Sequence, residues 1–311
     1  MDTEFSHVGT ETATPRVKPS TLPVRLIHHI RFPHQPGLHM KRTSMRTVAG
    51  WTGIVLAVLI PSGARAEPAD VTSPRNAVIN AAGAREIRIE AGAGFLHIYG
   101  RTGMNDVRIT GVARASNRRI LDKIRLIAER RGDVVFIKAE FPDDHSIWDL
   151  FQGDFSLTLD LTIDVPISIP LNVDDGSGEL KIKGTGPVTL TDGSGDLEVS
   201  GITGNVRITD GSGNIVVSGV EGDVYVDDGS GNIDANNVTG NFTIGEDGSG
   251  SVDVSGVGGT MRVNEKGSGS LTVNRVGGDF IVDHKGSGSI EYSTVKGSVS
   301  IPERKRRDRR G

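Results

Sequence analysis

Residues 192–210 read Asp-Gly-Ser-Gly-Asp-Leu-Glu-Val-Ser-Gly-Ile-Thr-Gly-Asn-Val-Arg-Ile-Thr-Asp, and this stretch decides the fold. Leu197 and Val199 flank one polar residue, and so do Val206 and Ile208. Alternation with period two puts both apolar side chains on one face of a short strand. Glycines stand between the pairs, where a chain turns. The tripeptide recurs as Gly176-Ser177-Gly178, Gly193-Ser194-Gly195, Gly211-Ser212-Gly213, Gly229-Ser230-Gly231, Gly248-Ser249-Gly250, Gly267-Ser268-Gly269 and Gly286-Ser287-Gly288. Successive copies start 17, 18, 18, 19, 19 and 19 residues apart. A near-constant period of this length marks a stacked repeat architecture.

Working outward, the first strands of the copies carry Leu180/Ile182, Leu197/Val199, Ile215/Val217, Ile233/Ala235, Val252/Val254, Leu271/Val273 and Ile290/Tyr292. The second strands carry Val188/Leu190 through Val299/Ile301. A third apolar position recurs at Ile202, Val220, Val238, Val257, Val276 and Val295. Two short strands cannot bury their apolar face alone. Stacking equivalent strands in parallel, about 4.8 Å apart, buries continuous ladders and pairs the backbone. The fold class expected is therefore all-β: a parallel β-solenoid of about seven two-strand coils over 174–301. Parallel crossovers favour a right-handed path. The glycines of the tripeptides form a turn ladder whose corners call for positive φ.

Residues 77–173 are less regular. Ile87 and Ile89, residues 95–99, and Val107 with Ile109 alternate as strands do. Ser116 is placed to cap a short helix reaching Lys123. Gly132-Asp133 between apolar runs predicts a hairpin. Leu157, Leu159, Leu161 and Ile163 share one strand face, with Pro166 and Pro170 confined to its breaks. This segment reads as an irregular β-rich cap, containing one short helix, over the N-terminal end of the solenoid.

Composition narrows the chemistry. There are 42 glycines, only 5% aromatics and no cysteine, which excludes disulfides, thiolate metal sites and a Cys nucleophile. The net charge of −4 is unevenly spread: residues 1–66 hold eight Lys/Arg and three Asp/Glu, and 304–310 hold six and one. Subtracting both segments from 35 and 39 leaves 21 against 35, or −14, in the body, which disfavours a nucleic-acid partner.

Lys41, Arg42 and Arg46 precede an apolar run, Val48–Ile60, and then Ala64-Arg65-Ala66. That order is the pattern of a secretory signal peptide over 40–66, with cleavage between Ala66 and Glu67. The run is shorter than the roughly 20 residues that a membrane span needs. Residues 1–39 read as a mis-annotated or disordered leader, 67–76 as a polar linker and 302–311 as a basic, disordered tail. An exported protein, periplasmic, at the cell surface or extracellular, is expected, with an uncleaved membrane anchor as the lesser alternative.

The Gly-Ser-Gly corners with their flanking strand pairs, the signal peptide, and the segment from Ala113-Arg114-Ala115-Ser116 to Glu129-Arg130-Arg131-Gly132-Asp133 together resemble a known family. It is the bacterial adhesin-like family of β-strand-repeat proteins, also catalogued as a domain of unknown function. The resemblance covers roughly 77–301. It implies the solenoid architecture and carries no catalytic motif.

Candidate sites are few. A catalytic serine is singular and needs a base, whereas here the serine repeats in every copy, so it reads as part of the turn ladder. Asp175, Asp192, Asp210, Asp228 and Asp247 stack down one corner. Their oxygen ligands would suit calcium, but Lys266 and Lys285 replace them in later copies, and a solvated turn is the simpler reading. Asp143, Asp144, His145 and Asp149 form a mixed cluster in a loop. The basic tail could touch anionic lipid or lipopolysaccharide, and Pro302 with its cations would oppose stacking on the last strand edge. No cofactor is implied.

The function expected is a non-catalytic envelope or surface module, adhesin-like, binding envelope or surface proteins or glycans through flat polar faces. The alternatives are a periplasmic scaffold or envelope-stress accessory and, more remotely, a carbohydrate-active β-helix enzyme, for which the long acidic insertion is missing.

Overall fold

The computed structural model describes residues 70–142 and 156–303. The signal-peptide stretch, Ala66, Glu67, the cluster of Asp143, Asp144, His145 and Asp149, and the tail from residue 304 lie outside them.

The N-terminal part comprises β1 (Val71–Pro74), β2 (Ala77–Asn80), β3 (Glu86–Glu90), β4 (Leu96–Arg101), β5 (Asp106–Ala115), α1 (Arg118–Leu121), β6 (Arg125–Arg131), β7 (Val134–Glu140) and β8 (Leu157–Pro166). The repeats follow as β9 (Leu171–Asp175), β10 (Leu180–Lys183), β11 (Val188–Asp192), β12 (Leu197–Thr203), β13 (Val206–Asp210), β14 (Ile215–Glu221), β15 (Val224–Asp228) and β16 (Ile233–Val238). They continue as β17 (Phe242–Ser249), β18 (Val252–Val257), β19 (Met261–Ser268), β20 (Leu271–Val276), β21 (Phe280–Lys285), β22 (Ile290–Val295) and β23 (Val299–Ser300).

The two kinds of strand alternate along the chain and sort into two parallel stacks. One runs β4-β10-β12-β14-β16-β18-β20-β22 and the other β3-β9-β11-β13-β15-β17-β19-β21-β23. Seven complete coils, from β9–β10 to β21–β22, confirm the parallel solenoid. The predicted ladders are inside: Leu180, Leu197, Ile215, Ile233, Val252 and Leu271 are at most 1% exposed. The third column, Ile202, Val220, Val238, Val257 and Val276, is buried as well. Burial of these ladders weakens at the last rung, where no further coil of the described residues covers Ile290, Tyr292 or Val299.

The step from 18 to 19 residues has a local cause. Val226 pairs with Ile244 and Asp228 with Asp247, so β17 carries one extra residue and a bulge. Gly245 fills it, since a Cβ there would lie 2.0 Å from the Tyr225 hydroxyl.

The cap departs from the expectations in several places. The supposed linker holds β1, paired antiparallel with β5 from Val71↔Ala115 to Pro74↔Val112. The helix cap is Asn117 and not Ser116: the Asn117 Oδ1 accepts the Ile120 amide at 3.1 Å, and the helix stops at Leu121, short of Lys123. The hairpin at Gly132-Asp133 is present, joining β6 to β7, with Gly132 at φ 64.

The chain order is also not the stacking order. β3 pairs with both β7 and β9, and β4 with both β8 and β10. The coil β3–β4 therefore sits between the coil β7–β8 and the first repeat. It is an additional repeat in disguise: Ala91-Gly92-Ala93-Gly94 takes the place of Asp175-Gly176-Ser177-Gly178, with Ala93 bridged to Ser177.

The two tripeptide glycines differ in their reasons. Positive φ falls on the second in the first six tripeptides, as in Gly195 at 138°. The first has ordinary φ, yet a Cβ on Gly193 would lie 2.5 Å from the Gly176 carbonyl oxygen. The expectation of positive φ at both is thus corrected: close stacking of backbones, and not torsion, demands the first glycine.

Candidate functional site: a buried acid column

The five aspartates are not solvated turn residues. Strand β13 reads Val206-Arg207-Ile208-Thr209-Asp210, with a burial pattern in which the first, third and fifth residues are inside. Period two thus carries Asp210 onto the same face as Val206 and Ile208. The same holds for Asp175, Asp192 and Asp228, and the bulge in β17 restores it for Asp247. Exposure is 2% for Asp175, Asp192 and Asp228, 4% for Asp210 and 0% for Asp247.

Register links them directly: Asp175↔Asp192, Asp192↔Asp210, Asp210↔Asp228, Asp228↔Asp247 and then Asp247↔Lys266. Parallel strands place such partners about 4.8 Å apart. The result is an internal column of carboxyl groups closed by an ammonium. Lys266 is 2% exposed and pairs with Oδ2 of Asp247, and it donates to the carbonyls of Gly250 at 3.0 Å and Ser268 at 2.6 Å.

The oxygens of Asp175, Asp192, Asp210 and Asp228 are shut away from water, and what hydrogen bonding they find is with amides of their own corners and, between Asp192 and Asp210, with each other. Burial is accordingly the main force on their protons. It pushes the Asp175 carboxyl up to about 6, partly opposed by the Gly176 amide and aided by Asp174. Burial, then the neighbours Asp175 and Asp210, pushes Asp192 up to about 7. Burial, then Asp210 and Asp247, does the same for Asp228, also to about 7. Asp210 is raised by burial too, though amides of Ser212 and Gly211 restrain it. Like charges this close in a low-dielectric interior cannot all persist without protons or counterions.

Among the described residues, no group of three or more acidic, His or Cys side chains converges where a metal could sit. The aspartates lie one above another. A calcium cage built from side chains alone is therefore not what this geometry offers.

The outer faces are a separate matter. Glu198, Asp234, Asp253 and Thr272 point outward from one stack, and Arg207, Tyr225, Thr243 and Arg262 from the other. Some charges there are paired, as Lys181 is with Glu198 at 3.1 Å and Arg262 with Asp283 at 2.7 Å, whereas Asp234 and Asp253 stand next to each other in register with no salt bridge among the described residues. Sequence reading missed an aromatic row on β4 and the residue before it. Phe95 stacks on His97 with ring centroids 4.5 Å apart, His97 meets the Tyr99 edge at 6.4 Å, and the Arg101 guanidinium lies 5.5 Å from the Tyr99 ring centroid. The signal was present as Phe-Leu-His-Ile-Tyr, where alternate residues face out.

The fold and column define a class: a parallel β-solenoid with an apolar interior and an acidic seam. The Toastrack DUF4097 family matches residues 137–311, more than half of the 311-residue chain, and the chain belongs to that family. No curated protein matches it. A crystal structure of a candidate adhesin from Bacteroides fragilis is similar at 14% identity and a TM-score of 0.38, covering 75% of this chain and 98% of that one. A candidate cell adhesion protein from Clostridium sporogenes gives 14%, 0.26, 74% and 100% for the same quantities. A candidate lipid binding protein from Parabacteroides distasonis gives 15%, 0.34, 74% and 97%.

No helix among the described residues is long and apolar enough to cross a membrane.

Proposed function

We propose that this protein is a non-catalytic, adhesin-like interaction module of the bacterial envelope, exported by the segment 40–66 and released after Ala66. The observation that carries this reading is the placement of its chemistry. Among the described residues, the carboxyls whose proton affinity is raised are sealed inside the solenoid, away from any substrate. The outer faces are shallow and polar, with the row Phe95, His97, Tyr99 and Arg101 as an aromatic platform. Such platforms contact sugar rings or protein side chains by stacking and cation–π attraction. Repeated shallow faces suit multivalent contact better than a deep pocket.

The test is protease accessibility of the mature chain on intact cells, followed by binding of purified protein to cell envelopes. Digestion on intact cells, and lower binding by a Phe95→Ser/Tyr99→Ser variant of unchanged stability, is the expected result. Protection until the outer membrane is opened would discard the surface role.

A further inference from the structure

The Lys266 ammonium marks a place in the column where the chain itself has put a cation. That place is bounded by the Asp247 carboxylate and Gly250 carbonyl of the preceding coil and the Ser268 carbonyl of its own. The corner that forms it repeats. Backbone bonds Gly178 N–H to Ser194 O, Gly195 to Ser212, Gly213 to Ser230 and Gly231 to Ser249 run at 2.9–3.1 Å, and Gly250 to Ser268 continues the series at 3.4 Å. Each earlier coil thus sets the same two carbonyls beside its column, with an aspartate where Lys266 stands. Only glycine keeps the first of these carbonyls open to the corner: a Cβ on Gly250 would lie 1.5 Å from the Gly231 oxygen.

We propose that each of the four intervals between successive aspartates, from Asp175 to Asp247, holds one monovalent cation of about potassium size at the place equivalent to that of the Lys266 ammonium. The ligands would be the two flanking carboxylates and the carbonyls of Gly178 and Ser194, Gly195 and Ser212, Gly213 and Ser230, or Gly231 and Ser249.

Three observations favour this occupant. Charge is the first: among the fully buried groups, five carboxylates less the Lys266 ammonium leave four negative charges for four intervals, while Lys285, next in register, is partly exposed. Distance is the second. The ammonium meets the Gly250 carbonyl at 3.0 Å, beyond the roughly 2.3–2.6 Å of calcium ligands, and the Ser268 carbonyl at 2.6 Å, at their upper limit. The third is the burial of the carboxylate oxygens, shut from water in a column that supplies them with few donors. Rows of backbone carbonyls replacing a hydration shell are how proteins hold potassium. The proposal is independent of the adhesin reading, because it concerns the inside of the solenoid.

The experiment uses the full chain. Crystals soaked in rubidium chloride should show anomalous peaks between the aspartates, about 4.8 Å apart. Melting at pH 8 should occur several degrees higher in potassium chloride than in choline chloride of equal ionic strength, and the gap should close at pH 4.5. Asp210→Asn should weaken the two rubidium peaks beside it while leaving that between Asp228 and Asp247. Absence of rubidium peaks with identical melts in the two salts would mean that the column carries protons alone, and the proposal would fall. A response to calcium but not to potassium or rubidium would overturn it equally. The rubidium and salt measurements need no variant, so misfolding of Asp210→Asn would not shelter the idea.

Discussion

Lys266 and Asp247 form an ion pair shut away from water, with side chains 2% and 0% exposed. A buried pair is worth little against an apolar replacement of both partners, but removing one partner strands the other. Lys266→Met should therefore cost about 3–5 kcal/mol. The double variant Lys266→Met/Asp247→Leu should recover most of the loss. Urea unfolding of the three proteins checks this, and equal midpoints for wild type and Lys266→Met would refute the burial of the pair.

The column makes stability depend on pH with an unusual sign. In the unfolded chain a carboxyl titrates near about 3.9. In the folded state Asp175 holds its proton to about 6, and Asp192 and Asp228 to about 7. Between these limits the folded protein binds more protons than the unfolded one, so stability falls as pH rises. The contribution is complete below about pH 4 and gone above about pH 7. Asp279, held low by the Ser298 amide and hydroxyl, acts in the opposite sense, but it lies at the surface and its effect is weak. Melting in choline buffers should be higher at pH 5 than at pH 8; the reverse order would show that the column is charged and compensated throughout.

Val224 is 1% exposed in its ladder. Val224→Asp would add a sixth carboxyl beside Val206 and Phe242, its partners in register, with no counterion. Loss of the folded state, seen as loss of the cooperative melt, is expected. An unchanged melting temperature would contradict the inward assignment.

Glycine variants should separate torsion from packing. Gly83 has φ +69, and open space surrounds the position a Cβ would take, so Gly83→Ala should cost only the left-handed torsion, about 1–2 kcal/mol. Gly195 combines φ +138 with a Cβ position 1.8 Å from the Gly178 oxygen. Gly195→Ala should force the coils apart and abolish or severely reduce folding. Similar melts for the two variants would show that the corners are looser than described.

A chelator of divalent ions should leave the melting temperature where it is, because no three acidic or His side chains of the described residues gather around a point. A fall of tens of degrees would instead require a divalent ion in the structure.

Much of this was legible in the sequence, and the reasons are local. The Gly-Ser-Gly period announced the stack, and the alternation of Leu197 with Val199 gave the inward face. The acid column was equally written in Val206-Arg207-Ile208-Thr209-Asp210, where counting by two reaches Asp210. It was hidden by chemistry, since an aspartate before a glycine reads as a turn residue. The coil β3–β4 escaped notice because Ala91 and Ala93 replace the Asp and Ser of the signature while keeping both glycines. Its place between β8 and β10 is a non-local choice that no short window contains. The helix cap moved by one residue because Ser116 and Asn117 are both good caps, and Ser116 is occupied at the end of β5, where its amide bonds the Ser156 carbonyl.

That displaced coil gives the molecule a direction. The chain lays down β3 and β4, leaves them through β5 and β6, and returns with β7 and β8 on their far side before β9 starts on the near side. One end of the stack is therefore finished before the first repeat exists. Every later coil is added on a surface already made, away from a stop that cannot be extended. Whole repeats can be gained or lost among the later coils without disturbing that finished end, and descendants with different coil numbers would share the same beginning.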